Sequence, residues 1–293
     1  MKKIFLVMLL GLILSIGTSA QAFWVGDVWN PNEGWVSNVM GFDWSSSGSG
    51  NAEGMGNQGD PTQLILHQAS QVPFNFRYQA NLVGVTDNNG NAIANFGNGL
   101  NSNFEYTLVA TFPERVVSLT DLGGGAFNAL FDVAGPGSWY MYYDSPSSGG
   151  SQSSVLPGTG FEDGALVANG TFNYSGLELS SFTFAGSQGI GSFILEGLVD
   201  YANPLYLDPA LTILDIRAEG TLNQPSLDST TTGFFDVLGG PLSRYTVNSG
   251  QIPDQQFKVD ASSKFSVPEP STMLLLGSGL LGLGAYSRRR IKK

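Results

Sequence analysis

The chain has 293 residues and a formal net charge of −11, with 39 glycines, no cysteine and a single histidine. Those two last counts exclude thiol catalysis, disulfide frameworks and multi-histidine metal sites. The charge disfavours phosphate backbones, so no nucleic-acid partner is expected.

The N-terminus has the three parts of a secretory signal peptide. Lys2 and Lys3 supply the positive start, Ile4 to Ile16 an uncharged apolar run, and Ala20 and Ala22 the small residues of a signal-peptidase site. The run is too short for the roughly 30 Å hydrocarbon core. Cleavage after Ala22 is predicted, leaving residues 1–22 as a signal helix and Phe23 as the mature N-terminus. Signal peptidase is thus an expected partner.

Residues 23–267 form the body, where six basic residues face 23 acidic ones, a net charge of −17. Trp24, Trp29, Trp35 and Trp44 open it and read as an aromatic appendage. Ser45 to Gly59, rich in Ser, Gly and Asn, reads as a flexible loop. Gln63 to His67 and Phe74 to Thr86 read as strands, with His67 a partly buried structural histidine. In Asp87-Asn88-Asn89-Gly90-Asn91, Asn-Gly is a hairpin turn signal. The oxygens of Asp87, Asn89 and Asn91 also match the start of a calcium loop, but the twelfth position is Asn98 instead of Glu. The turn is the main expectation, and calcium is a minor one. No other cofactor is expected.

Beyond the turn, alternation is clean. Phe104 to Phe112 places Phe104, Tyr106, Leu108, Ala110 and Phe112 on one face of a half-buried strand. Ser138 to Tyr143, Ala165 to Phe172, Leu177 to Phe184, Ser192 to Val199, Leu211 to Ala218 and Gln256 to Asp260 are further strands. Ser145 to Ser154 and Asp228 to Gly233 read as loops. Helical spacing is missing over long stretches. The expected fold class is all-β, an antiparallel β-sandwich, jelly-roll-like or related, in one domain.

Chemistry is sparse. No Gly-x-Ser-x-Gly elbow presents a serine, and no catalytic residue is assigned. Glu162, Asp163, Glu178 and Glu196 are the carboxylates that a glycoside hydrolase would draw on, though sequence alone brings no pair together. Trp139, Tyr140 and Tyr142 can stack on sugars or fill a core. Asn169-Gly170-Thr171 and Asn173-Tyr174-Ser175 fit the N-glycosylation acceptor pattern.

The C-terminus is Pro268-Glu269-Pro270, then an apolar segment at about 273–286, then Arg288, Arg289, Arg290, Lys292 and Lys293. The prolines hold the tripeptide extended, as a processing enzyme needs. The apolar segment reads as a short transmembrane helix, and the basic cluster anchors its end in the anionic cytoplasmic face. These three parts in this order resemble the PEP-CTERM sorting signal over residues 268–293. The resemblance implies recognition by an exosortase, an integral membrane protease or transpeptidase of exopolysaccharide-producing bacteria. Phe104 to Phe112, Tyr143-Asp144-Ser145-Pro146 and Asp163-Gly164-Ala165-Leu166 with Asn169-Gly170-Thr171 are similar to flocculation-associated PEP-CTERM proteins, a likeness that carries no site. The implied protein is exported from a Gram-negative cell and held transiently in the inner membrane. It then reaches the cell surface or matrix, associates with extracellular polysaccharide, and acts in flocculation or biofilm formation without being an enzyme. A secreted carbohydrate-active enzyme with two catalytic carboxylates and a carbohydrate-binding module remain as alternatives.

Overall fold

A computed structural model describes residues 22–56, 61–145, 153, 160–172, 179–185, 188–209, 215–224, 233–235, 244–246 and 254–267. The described residues are mostly strands. In chain order these are β1 (Ala22–Phe23), β2 (Gly26–Asn30), β3 (Gly34–Val39), β4 (Gly41–Ala52), β5 (Phe74–Thr86), β6 (Glu105–Gly123), β7 (Ala126–Val133) and β8 (Gly137–Asp144). There follow β9 (Ala165–Phe172), β10 (Leu179–Ala185), β11 (Gln188–Ala202), β12 (Leu207–Asp208), β13 (Asp215–Gln224), β14 (Gly233–Phe235), β15 (Arg244–Thr246) and β16 (Gln255–Val267). Among the described residues, one helix, α1 (Thr62–Ser70), and a 3-10 turn at Ala94–Gly97 interrupt them.

The chain divides into two compact units, one of Trp24–Phe265 and one of the two ends, Met1–Phe23 with Ser266–Lys293. Of the end unit, the described residues form a short antiparallel ladder, Ala22 opposite Val267 and Phe23 opposite Ser266.

In the larger unit the all-antiparallel expectation holds, and the pairing path returns on itself. β16 pairs β4, β4 pairs β5 and β5 pairs β6. From β6 two routes lead to β11. Its first half, Glu105 to Thr111, pairs β8, which pairs β9 and then the end of β11. Its second half pairs β7, then β10, then the start of β11. β11 pairs β13, and β13 pairs β16, closing the ring. A sandwich joined at both edges in this way leaves no long unpaired strand in the ring, which removes a template for aggregation.

Inward-facing residues come from every side of the ring. Phe76 and Tyr78 of β5, Leu108, Ala110 and Phe112 of β6, Phe172 of β9, Phe193 and Leu195 of β11, and Val259 and Ala261 of β16 line one interior. Trp139 and Met141 of β8 are fully buried. Small residues make room for these rings. A Cβ on Gly170, opposite Trp139, would meet the indole Cε2 at 2.9 Å and collide with the Leu198 carbonyl. Rings left in contact prefer tilted and edge-on packing, as in Phe76–Phe112 at 5.4 Å and Phe182–Phe257 at 5.1 Å and 79°.

β2, β3 and β12 form a separate three-stranded sheet. Its Trp29–Trp35 pair is edge-on at 5.5 Å. The Tyr106 hydroxyl donates to the Trp29 carbonyl at 2.7 Å, and Asn30 Nδ2 donates to the Phe96 carbonyl at 3.0 Å, tying this sheet to β6 and to the 3-10 turn.

Three expectations are corrected. Gln63 to His67 is not a strand but part of α1. Its first turn closes by the Ile65 N–H donating to the Pro61 carbonyl, and its end is capped by Gln71 at φ 56°. Of the contiguous Leu64-Ile65-Leu66 run only Leu64 is buried, while Ile65 and Leu66 are exposed, as on one helical turn. Ser45 to Gly59 is not a loop as far as Ala52, since β4 runs through it. Its glycines are packing residues: a Cβ on Gly50 would meet Phe76 Cζ and Val259 Cγ2 at 2.7 Å each. The ladder does break between Trp44 and Ser49, where the three serines bulge. Finally, two of the four N-terminal tryptophans are no part of an appendage, while Trp29 and Trp35 lie in the separate sheet of β2, β3 and β12. Trp24 and Trp44 are buried in the larger unit, Trp24 against Phe42 and Phe265 and Trp44 against Phe42.

Candidate functional site

Pro268, Glu269, Pro270, Arg288, Arg289, Arg290, Lys292, Lys293, the 273–286 segment and Ala20 all lie outside the described residues, as do Glu178 and Asn173. Ala22 is described, in β1. What precedes the Pro-Glu-Pro tripeptide is ordered: β16 extends to Val267, the residue before Pro268. Within the larger unit its Phe265 is fully buried, edge-on to Phe42 at 5.5 Å and to Trp24 at 6.1 Å, and tilted against Trp139 at 6.2 Å. Burying such a ring is worth about 1.5–3 kcal/mol, so β16 is held by core packing as far as Phe265.

The predicted turn at Asp87 is present. Asp87 Oδ1 accepts from the N–H groups of Asn89 (2.8 Å) and Asn91 (2.9 Å), and Oδ2 accepts from Asn91 Nδ2 at 3.2 Å. The donation from Asn91 holds the Asp87 carboxyl below its usual range. Gly90 takes φ +80°, the conformation that Asn-Gly turns require. Thr86 and Ala92 then form only an isolated bridge. His67 sits near the end of α1, its Nδ1 2.8 Å from the Val72 carbonyl and its ring edge-on to Phe74 at 5.7 Å. That is a structural setting. Among the described residues, no group of three or more Asp, Glu, His or Cys is arranged to hold a metal.

The carboxylates separate. Glu196 lies opposite Arg217 in the β11–β13 ladder, while Glu162 and Asp163 lie in the segment before β9. The structure instead gathers a group that sequence reading missed. Glu105 and Asp144 are direct partners across β6 and β8, both buried, and Asp163 adds its charge. Burial above all pushes the Glu105 carboxyl up, with Asp144 and Asp163 adding to the rise, against donation from Ser153. Its oxygens accept from Ser153 N at 2.8 Å, Ser153 Oγ at 2.7 Å and Asn81 Nδ2 at 3.0 Å. Only the register of two distant strands, invisible in one sequence, makes Glu105 and Asp144 neighbours.

A second buried carboxyl, Glu114 of β6, faces two interior voids of about 30 and 20 Å³, room for roughly one or two waters each. Burial lifts it to about 8; Ser180 Oγ, donating at 3.1 Å, lowers it, and the charge of Asp132 raises it. Asp132 is itself held by Arg115 through both carboxylate oxygens. The interior around Glu114 is otherwise apolar apart from Tyr78 and a few small polar groups.

The aromatic triplet of β8 splits by parity. Trp139 points inward and is fully buried. Tyr140 and Tyr142 point outward, half-buried, their rings nearly parallel (13°) with centroids 6.3 Å apart, packed on Val109 and Phe161. Thr107 Oγ1 donates to the Phe161 carbonyl at 2.7 Å and fixes that packing. Asn169, in the N-glycosylation pattern, stands opposite Tyr140 on one side and Tyr201 on the other.

Residues 266–290 match the PEP-CTERM protein-sorting motif. The chain therefore carries the signal of an exosortase-sorted exported protein, directed by membrane-associated sorting toward the cell surface. The match begins inside β16, two residues before Pro268. No curated protein and no solved structure matches the chain significantly.

Proposed function

We propose that the body is a non-enzymatic surface or matrix protein of a Gram-negative cell, clipped near Pro268 and associated with extracellular polysaccharide in flocculation or biofilm formation. The sorting motif at 266–290 carries this reading. A β-rich body with a net charge of −17 accords with it, because such a domain repels polyanionic glycans unless divalent cations bridge the carboxylates. Processing is the first test. Replacing Pro268 and Pro270 with alanine removes the constraint that keeps the tripeptide out of the helix, and an uncleaved, membrane-retained precursor is expected by intact mass. A mature wild-type protein still ending at Lys293 sinks the proposal. Gene deletion should then alter cell aggregation or matrix retention.

The second reading, a glycoside hydrolase, is favoured only by the Glu105, Asp144 and Asp163 group, since a carboxyl raised by burial with a second carboxyl beside it is an arrangement acid catalysis uses. The three donors already on Glu105 argue for a structural role. Release of reducing sugar that vanishes in Glu105→Gln overturns the non-enzymatic proposal.

A further inference from the structure

The outer face of β8, β9 and β11 combines tyrosines with an amide and hydroxyls. Tyr140, Asn169 and Tyr201 stand in one row across the three strands, and Ser138, Thr171 and Leu198 in the next. Tyr142 extends the first column, its ring parallel to Tyr140. Tyr201 is 45% exposed, while Tyr140 and Tyr142 are half-buried. The Asn169 side-chain oxygen is buried and has no hydrogen-bond partner, a costly state for an amide between two aromatic rings.

We propose that this face, built on Tyr140, Tyr142, Asn169 and Tyr201, is a binding site for a neutral glycan chain. A pyranose presents an apolar C–H face edged by hydroxyls. The C–H face suits the electron-rich faces of tyrosines, and the hydroxyls suit the Asn169 amide with the Ser138 and Thr171 hydroxyls beside it. An extended peptide is a poorer fit over β8 and β9, because strand addition needs a free edge, and these two strands are each paired on both sides. A purely apolar partner would leave the amide and hydroxyls unpaired. Charge selects among glycans. Glu162 lies close enough for its charge to act on the Tyr142 phenol, and with the acidic body it repels uronates, sulfates and phosphates.

The proposal deepens the glycan association above and rests on it, but a distinct readout separates the two. The mature protein, isolated from producing cells, is run in affinity gels containing hydroxyethylcellulose, dextran or galactomannan, and separately alginate with and without calcium. Retardation by at least one neutral glycan is expected. It should weaken tenfold or more in the Tyr140→Ala/Tyr142→Ala double variant and several-fold in Asn169→Ala. Ile190→Ala, also on β11 but outside the site, should behave as wild type. If the double variant fails to fold, Asn169→Ala and Tyr201→Ser decide, since both leave the ring pair intact. Absence of retardation by all three neutral glycans, or retardation unchanged in variants with wild-type melting, overturns the site. Retardation by alginate alone, dependent on calcium, also overturns it while leaving the matrix association standing.

Discussion

Two faces of one strand show how position, not residue type, decides what an aromatic does. Along β8, Trp139, Met141 and Tyr143 are buried while Ser138, Tyr140 and Tyr142 keep some exposure. The inner row meets Phe265, the interior of the ring and the Phe104–Tyr106–Tyr206 cluster. The outer row meets Val109, Phe161 and solvent. The alternation is legible in Ser138 to Tyr143, but a run aromatic on both sides gives no sign of which side is core. Register decides that, by pairing Ala110 with Trp139 and Val109 with Tyr140.

The sharpest test of the contrast removes one ring from each face. Trp139→Ala empties a fully buried site and is expected to cost about 3–5 kcal/mol, which a urea midpoint will read. Tyr140→Ala removes a half-exposed ring and should cost less than half as much. Equal losses would mean that the outer face is a second core, which would undo the contrast.

Charge sharpens the comparison further, because the inner face buries the carboxyl of Glu114 among apolar side chains, whereas Glu105 and Asp144, of the same parity as Tyr140 and Tyr142, are buried as a pair. Glu114 is raised to about 8 from an unfolded value near 4.5, chiefly by burial. The folded state thus keeps a proton that the unfolded chain loses. Its stabilising contribution is complete below about pH 4.5 and is lost as pH rises toward 8, on the order of 1 kcal/mol per pH unit. Glu114→Gln keeps the donor and shape without the titration. The stability of the variant relative to wild type should therefore climb between pH 5 and 8, and parallel pH profiles would show that Glu114 ionises freely when folded.

Tyr78 gives a smaller effect of the opposite sign to Trp139. It faces the same interior, and its hydroxyl is buried without a hydrogen-bond partner. Tyr78→Phe deletes that unsatisfied group and little else, so stability should rise by about 1 kcal/mol. A loss in thermal melting would show that the hydroxyl is bonded, for instance to a water in the adjoining void.

The strands β5, β8 and β9 could be read almost residue for residue because period-two alternation reports a half-buried ladder locally. Gln63 to His67 could not, since the three-residue apolar run Leu64-Ile65-Leu66 fits either period and only the burial of Leu64 alone distinguishes them. Ser45 to Ala52 failed for another reason: glycine and serine mean flexibility when exposed, but close approach when an aromatic such as Phe76 lies across them. The sorting motif was legible because it is a local stretch of sequence that depends on no distant register. The outer face was legible only as ingredients, Tyr140, Tyr142 and Asn169, whose assembly with Tyr201 depends on the bulge between Val199 and Tyr201 in β11.

That bulge frames the smallest expected effect. A regular ladder would alternate Tyr201 with Asp200 on fixed faces. The slip after Val199 instead places Tyr201 opposite Asn169 and leaves the ring 45% exposed. A residue so exposed contributes little to folding, and Tyr201→Ser should move stability by no more than about 0.5 kcal/mol. For a body of this size that is a shift of roughly 1–2 °C in melting temperature. Retention in the neutral-glycan gel should fall nonetheless, because the ring flanking Asn169 is gone. Stability and binding thus separate at Tyr201 as they cannot at Trp139, whose loss disturbs both. A melting temperature several degrees lower in Tyr201→Ser would show that the ring serves the fold, and would place the outer face of β11 with the core.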